Sequence, residues 1–449
     1  MIRKILAVLS ISVKSPMSIP YARQGLRLFD GTVDDLNKYQ SDKYKELLLY
    51  AYQHTAYYHR IFDKIGLITE NTNIHTDKLG QIPILTKEII RQEGENLYSD
   101  ELNKRGAYEN TSGGSTGEPV RFMQDKVYFA KNFGDKILFG LLNDKMPGEK
   151  EIKLWGSERD LLEGTIGLKE RMVNFFFNRE FLNSFVLDED RMDHYIRVIN
   201  QKKPKQIWTY ADSIYQLAKY ANRQGRDVYS PLNIITTAGV LYDEMRDEIQ
   251  QAFPKSRILN QYGSREAGAI GIEVAGARGI RIFEHSVLTE LLDMNTNTIR
   301  DEGMGELLIT NLTNYSMPLI RYKIGDVAVI QKDAEKQNGS FATITQLIGR
   351  TNSYLKKKDG AMIHGEFVTH LFYNKKWVEN FQVIQKDYDN IQFKIVLSRG
   401  CKADEKEISI MISDLKKVYG DCNIEIQYVE NIPKLKSGKY QFVITEIDN

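Results

Sequence analysis

The 449-residue chain sets 61 lysine and arginine residues against 60 aspartate and glutamate residues, a formal charge of +1. That balance offers no broad basic field for nucleic acid or anionic lipid and points to small-molecule partners. The length exceeds what one hydrophobic core fills, so two or more domains are expected, and the two cysteines, Cys401 and Cys422, lack the spacing of a disulfide framework or structural zinc and fit a reducing cytoplasm.

Residues 1 to 9 resemble a short leader, but Ser10 and Ser12 interrupt it and no clean cleavage site follows. No later run reaches the roughly 20 apolar residues of a membrane span, so no integral membrane segment is expected. Residues 41 to 66 read as one helix, with Tyr44, Leu47, Leu48 and Ala51 at helical spacing and Gly66 as the stop. The tyrosines between 52 and 58 read as packing residues.

Residues 110 to 119 gather three glycines and four hydroxyl side chains in ten positions with no apolar residue. Glycine permits close backbone approach to a ligand and the hydroxyls suit phosphate oxygens, so a phosphate-holding loop is one reading and an ordinary surface loop another. A Walker loop requires a lysine after Gly117, and none is there. Gly113 to Gly117 spells G-x-S-x-G, yet a hydrolase elbow needs an apolar strand before and a helix after, whereas residues 119 to 123 alternate like a strand.

Helix and strand patterns then alternate: helix at 127–143, strand at 152–156, helix at 188–201, strand at 206–210, helix at 213–223, strand at 232–239, helix at 243–253 and strand at 258–261. This pattern predicts βαβ units and a mostly parallel sheet, with ligands at the carboxyl ends of its strands. Tyr262, Gly263, Ser264, Arg265 and Glu266 collect at one such end. Beyond Gly303 the pattern changes to alternating strands, 305–310 and 319–326, which predicts an antiparallel subdomain, and residues 331–340 read as an exposed polar loop. Strands at 381–384, 391–397, 424–429 and 441–447 surround a helix opened by Asp404, with Glu407 three residues on as a capping box and Gly420 as the stop. These make a small α+β domain.

Taken together in this order, the motifs resemble the adenylate-forming superfamily of acyl-CoA synthetases, adenylation domains and luciferases. The resemblance is to the phenylacetate coenzyme A ligase-like branch, which includes capsule-biosynthesis proteins and deazaflavin-adenylating synthetases, and it covers roughly residues 40 to 446. It implies a large N-terminal α/β domain over residues 1–348 that binds ATP and substrate. A hinge at 349–352 and a small mobile α+β domain at 353–449 follow.

By the same resemblance Ser112, Gly113, Gly114, Ser115, Thr116 and Gly117 hold the β/γ-phosphates of ATP, Ala238 and Gly239 lie against adenine, and Tyr262 stacks on it. Gly263 and Arg265 belong to the same motif, Glu266 helps to hold Mg²⁺, Asp326 takes both ribose hydroxyls, Arg350 assists at ribose or phosphate, and Asn352 is the pivot. Lys439 is the mobile catalytic lysine, and Trp208, Tyr210 and Ser213 line the acid pocket, with Tyr242 and His285 nearby. Val120 stands where the family has lysine, Arg265 where it has threonine, and Asn352 where it has aspartate. The activity implied is AMP-forming ligation of a small carboxylic acid, with coenzyme A or an amino sugar as acceptor. Alternatives are adenylation of a phosphate or hydroxyl, and an inactive ATP-binding scaffold.

Overall fold

The computed structural model describes the chain except residues 1, 70–72, 112–119, 156–173, 185–188, 295, 333–340, 351–353, 359–361, 365–367, 369–370, 373–374, 434–440 and 448–449. The chain divides into two compact units: Met1–Leu241 with Met245–Leu347, and a smaller one whose continuous part is Ile348–Asn449.

The large unit is organised on a twelve-stranded sheet. One half is parallel, in the order Arg179–Asn183, Glu151–Trp155, Gln206–Tyr210, Asn233–Thr237, Arg257–Ser264. Asn233–Thr237 is buried at every position, as expected of a strand covered on both faces. Arg257–Ser264 then pairs antiparallel with Gly268–Glu273, and the sheet continues through Ile280–Ile282, Thr343–Arg350, Tyr322–Gln331, Gly303–Asn311, Val287–Leu292 and Ile299–Arg300. The antiparallel strands expected as a subdomain thus extend the parallel sheet without a break. Arg257–Ser264 is the strand on which the direction switches.

The helix expected over residues 41–66 is two helices, Val33–His54 and Ala56–Ile65. Thr55 separates them: its backbone is extended, its hydroxyl donates to the Ala51 carbonyl at 2.8 Å, and its oxygen accepts from the Tyr58 amide at 3.3 Å. A β-branched hydroxyl residue competes for backbone partners and so ends one helix while capping the next. Gly66 closes the second at φ +61, a conformation that disfavours other residues. Tyr58 is buried and works as a brace, donating to the Pro318 carbonyl at 3.1 Å and accepting from the Ile320 amide at 3.2 Å.

Residues 2–14 and 18–30, given no helix in the sequence reading, form the helices Ile2–Lys14 and Ser18–Asp30. No single helix among the described residues is long and apolar enough to cross a membrane; these two meet the test of length and composition only jointly, as a pair bent by 105°. The smaller unit packs Glu405–Tyr419 with a four-stranded sheet ordered Asn423–Tyr428, Asn390–Leu397, Val378–Gln385, Val443–Thr445. Asp404 caps the helix by accepting from the Lys406 and Glu407 amides, but Glu407 does not complete the box: its carboxylate accepts the Trp377 indole N–H at 2.6 Å.

Candidate active site

The direction switch in the sheet places two chemistries side by side. Arg257–Ser264 ends a run of parallel strands, where the open carboxyl ends form a ligand crevice, and its other edge faces the antiparallel half. Tyr262, near the end of that strand, is buried, and its hydroxyl donates to Asp326 Oδ2 at 2.6 Å. Glu266, four residues on and also buried, accepts from the Tyr322 hydroxyl at 3.4 Å. Tyr322 and Asp326 lie on one strand, so two carboxylates and two phenols from opposite sides of the sheet junction form one cluster.

Local geometry holds the cluster in place. The register shifts between Tyr262 and Gly263, and a Cβ on Gly263 would lie 2.5 Å from the Gly268 carbonyl oxygen, so only glycine lets the strands close at this bulge. Across the junction, Arg321 precedes Tyr322 and has φ +50. Its buried guanidinium donates from Nε to Glu290 Oε2 at 2.9 Å and from Nη2 to Oε1 at 2.7 Å. It also donates to the Gly80 and Ile82 carbonyls. The parallel bridge between Leu85 and Tyr322 adds a second fixture on the same strand. The three side chains singled out at adenine, ribose and metal positions are therefore brought together, and Tyr322 is a contributor that the sequence analysis did not single out.

The segment carrying residues 112–117 starts from the same place. An antiparallel ribbon pairs Tyr108–Thr111 with Arg121–Gln124. Arg265 Nη1 donates to the Thr111 carbonyl at 3.3 Å, Gln124 Nε2 donates to the Arg265 carbonyl at 2.7 Å, and Asn110 Nδ2 donates to Gln124 Oε1 at 3.1 Å. The ribbon's open end is thus tied to the turn that carries Glu266. Arg265, the departure from the family's threonine, is exposed and makes this tie. Val120, at the family's lysine position, is buried with Phe122, Tyr262 and Tyr322 in one hydrophobic cluster.

Ala238 follows the fully buried strand Asn233–Thr237 with φ +70, a strained backbone for a non-glycine residue, and Gly239 comes next. Tyr210 sits at the carboxyl end of its strand with its ring 4.3 Å from Trp155, whereas Trp208 lies mid-strand against Phe139 and Ser213 is buried in the helix Ala211–Arg223. His285 is enclosed, with Nε2 2.8 Å from Asp135 Oδ1. Arg350 ends the strand Thr343–Arg350. Its side chain, residues 112–117, Asn352 and Lys439 lie outside the described set. Among the described residues no group of three or more histidine, cysteine or acidic side chains could hold a metal ion.

Residues 355–446 match the family described as the CapK C-terminal domain. Over 424 residues, 92% of this chain and 90% of the relative, the sequence is 25% identical to protein CapK of Staphylococcus aureus. The chain is similar in sequence to these proteins and shares the fold of the adenylate-forming ligases. It is also 24% identical to the phenylacetate-coenzyme A ligase of Thermus thermophilus, with 72% of each chain covered. A 2-hydroxyisobutyryl-CoA ligase, solved in the postadenylation state with 2-HIB-AMP, superposes with a TM-score of 0.72 at 15% identity, covering 94% of this chain and 91% of that one, and this shows the common fold.

Proposed function

We propose that the protein is an AMP-forming ligase that uses ATP to convert a small carboxylic acid to an acyl adenylate with release of pyrophosphate. It then passes the acyl group to a thiol, such as coenzyme A, or to an amine such as an amino sugar in polysaccharide assembly, in the cytoplasm. The observation that carries this reading is the pairing of Tyr262 with Asp326 beside Glu266 at the sheet junction. The sequence likeness to CapK and to a phenylacetate-coenzyme A ligase supports it.

Attack of a carboxylate on the α-phosphorus brings anion to anion, so positive charge must be supplied as the transition state forms. Lys439 is assigned that task. Asp326 accepts the ribose hydroxyls, a positioning role that one carboxylate can fill with two oxygens. Tyr262 and the backbone of Ala238 and Gly239 receive adenine, Ser112 to Gly117 receive the β/γ-phosphates, and Arg350 assists them. Magnesium held largely by substrate phosphates needs only one or two protein carboxylates; Glu266, which accepts a long hydrogen bond from Tyr322, fits that requirement. The ion supplies further charge neutralisation at the phosphates. Trp208, Tyr210 and Ser213 are assigned to the acid. Residues 349–352, with Asn352 as pivot, let the small domain (353–449) turn between adenylation and acyl transfer on the large one (1–348).

Carboxylate-dependent exchange of pyrophosphate into ATP tests the reading. Lys439→Ala is expected to slow exchange about 10² to 10³-fold. Unchanged exchange in that variant would remove Lys439 from its role, and no exchange from the wild-type protein across a broad acid panel would remove the function.

A further inference from the structure

A second site lies on one face of the parallel half-sheet, beneath the helix Lys126–Leu142. There the strands Glu151–Trp155, Arg179–Asn183 and Gln206–Tyr210 border a cavity of about 220 Å³. Its apolar wall includes Phe133, Phe177 and Trp208, and four cations reach it: Lys136, Lys145, Lys153 and Arg179. Among the described residues only one acid, Glu151, lines it. That carboxylate is buried and already committed, to Lys145 at 2.6 Å, Arg179 at 2.8 Å and Gln206 at 3.1 Å.

Lys136 and Lys153 have no carboxylate within ion-pair distance among the described residues. A lysine that only drapes its stem over apolar surface and puts its head in water accounts for Lys136, which is exposed on the helix. It does not account for Lys153, half-buried, with Nζ 5.5 Å from the Trp208 ring centre and 5.8 Å from that of Trp155. Burial, with Arg179, Lys136 and Lys145 nearby, lowers the pKa of this ammonium to about 7, despite Glu151. Four cations against one acid among the described residues, in so small a space, is an arrangement that an anion would stabilise. Trp155 in turn packs on Tyr210 at the strand ends, so Lys153 stands between the cavity and the ligand crevice.

We propose that this pocket receives a second anionic group, carboxylate or phosphate, carried by the acid that the enzyme activates, with Lys153 and Lys136 as its specificity-determining cations. The proposal rests on the ligase reading above for the first carboxylate.

The test measures pyrophosphate release and tryptophan emission with glutarate, with 3-phosphonopropionate and with valerate as the monoanion of similar length. The two dianions are expected to show KM values at least tenfold below that of valerate and to shift the emission of Trp155 and Trp208. A preference for glutarate alone would assign the group as carboxylate, and one for 3-phosphonopropionate alone as phosphate. Lys153→Met and Lys136→Met are expected to bring the dianion-to-valerate ratio toward one, while Lys153→Arg, which keeps the charge, retains the preference. Equal KM values for monoanion and dianions in the wild-type protein, or a preference that survives both Met variants, would overturn the proposal and leave the ligase reading intact. Lys153-dependent binding of dianions without pyrophosphate release from any acid would support the anion pocket and overturn the ligase reading instead.

Discussion

The cluster at the sheet junction and the pocket beneath Lys126–Leu142 keep charge inside the protein in opposite ways. At the junction each carboxylate has a phenol donor, Tyr262 for Asp326 and Tyr322 for Glu266. A neutral donor holds a carboxylate in place without cancelling its charge, so it stays ready for hydroxyls or a cation. Beneath the helix, Glu151 is shared by Lys145 and Arg179, while Lys136 and Lys153 have no carboxylate within ion-pair distance among the described residues. Burial pushes the Glu151 carboxyl up, but Lys145 and Arg179 more than offset this and hold it far below the usual carboxylate range. One region holds its carboxylates on neutral donors; the other leaves two lysines with no carboxylate within ion-pair distance among the described residues.

The strongest test of this contrast is Glu151→Ala, which leaves Lys145 and Arg179 without their partner. Removing one member of a buried ion pair is expected to cost about 3 to 5 kcal/mol in urea unfolding, and a loss below about 1 kcal/mol would show that solvent already relieves these charges. Next in size is the junction. Asp326→Ala is expected to lower kcat/KM for ATP on the order of 10²-fold by loss of positioning, while the tryptophan response to glutarate persists. Loss of both signals together would merge the two regions into one site.

The smallest effect is a pH dependence of stability. The folded chain holds Lys153 near 7, against an ordinary value of 10.5. Between those values the unfolded chain keeps a proton that the folded chain has released, so this lysine makes stability rise with pH across that window. Its contribution is complete above 10.5 and is lost as pH falls through 7. The groups facing it are Glu151, Arg179, Lys136 and Lys145, and Lys153→Met is expected to flatten the rise in urea midpoint between pH 7 and 9. An unchanged slope would assign the titration to another group.

Much of the architecture was legible because local patterns carry it. Residues 206 to 210 were read as a strand and are one to the residue, since a short apolar and aromatic run between helical patterns has few other uses. The Thr55 break was missed because apolar spacing continues across it, and only the paired hydrogen bonds of its hydroxyl reveal it. Residues 2 to 30 were obscured by serines that interrupt an apolar run and yet sit within helices. Tyr262 and Asp326 could be named from motifs, but their contact spans 64 positions and depends on sheet order. The cationic pocket was invisible for a stronger reason: Lys136, Lys153 and Arg179 come from three separate elements, and no spacing along the chain relates them.

On the proposed reading, the ribbon between Tyr108–Thr111 and Arg121–Gln124 bears on how tightly nucleotide is held. Thr111 and Arg121 are cross-strand partners, so the nine residues between them, 112–120, depart from and return to a closed base. Bringing the ends of such a segment together costs roughly (3/2)RT ln n, near 2 kcal/mol for nine residues. Here that closure accompanies folding of the ribbon and its ties to Arg265, and does not have to be supplied when a triphosphate is gripped. A variant that opens the base, such as Gln124→Ala, would therefore act on ATP affinity from outside the contact zone.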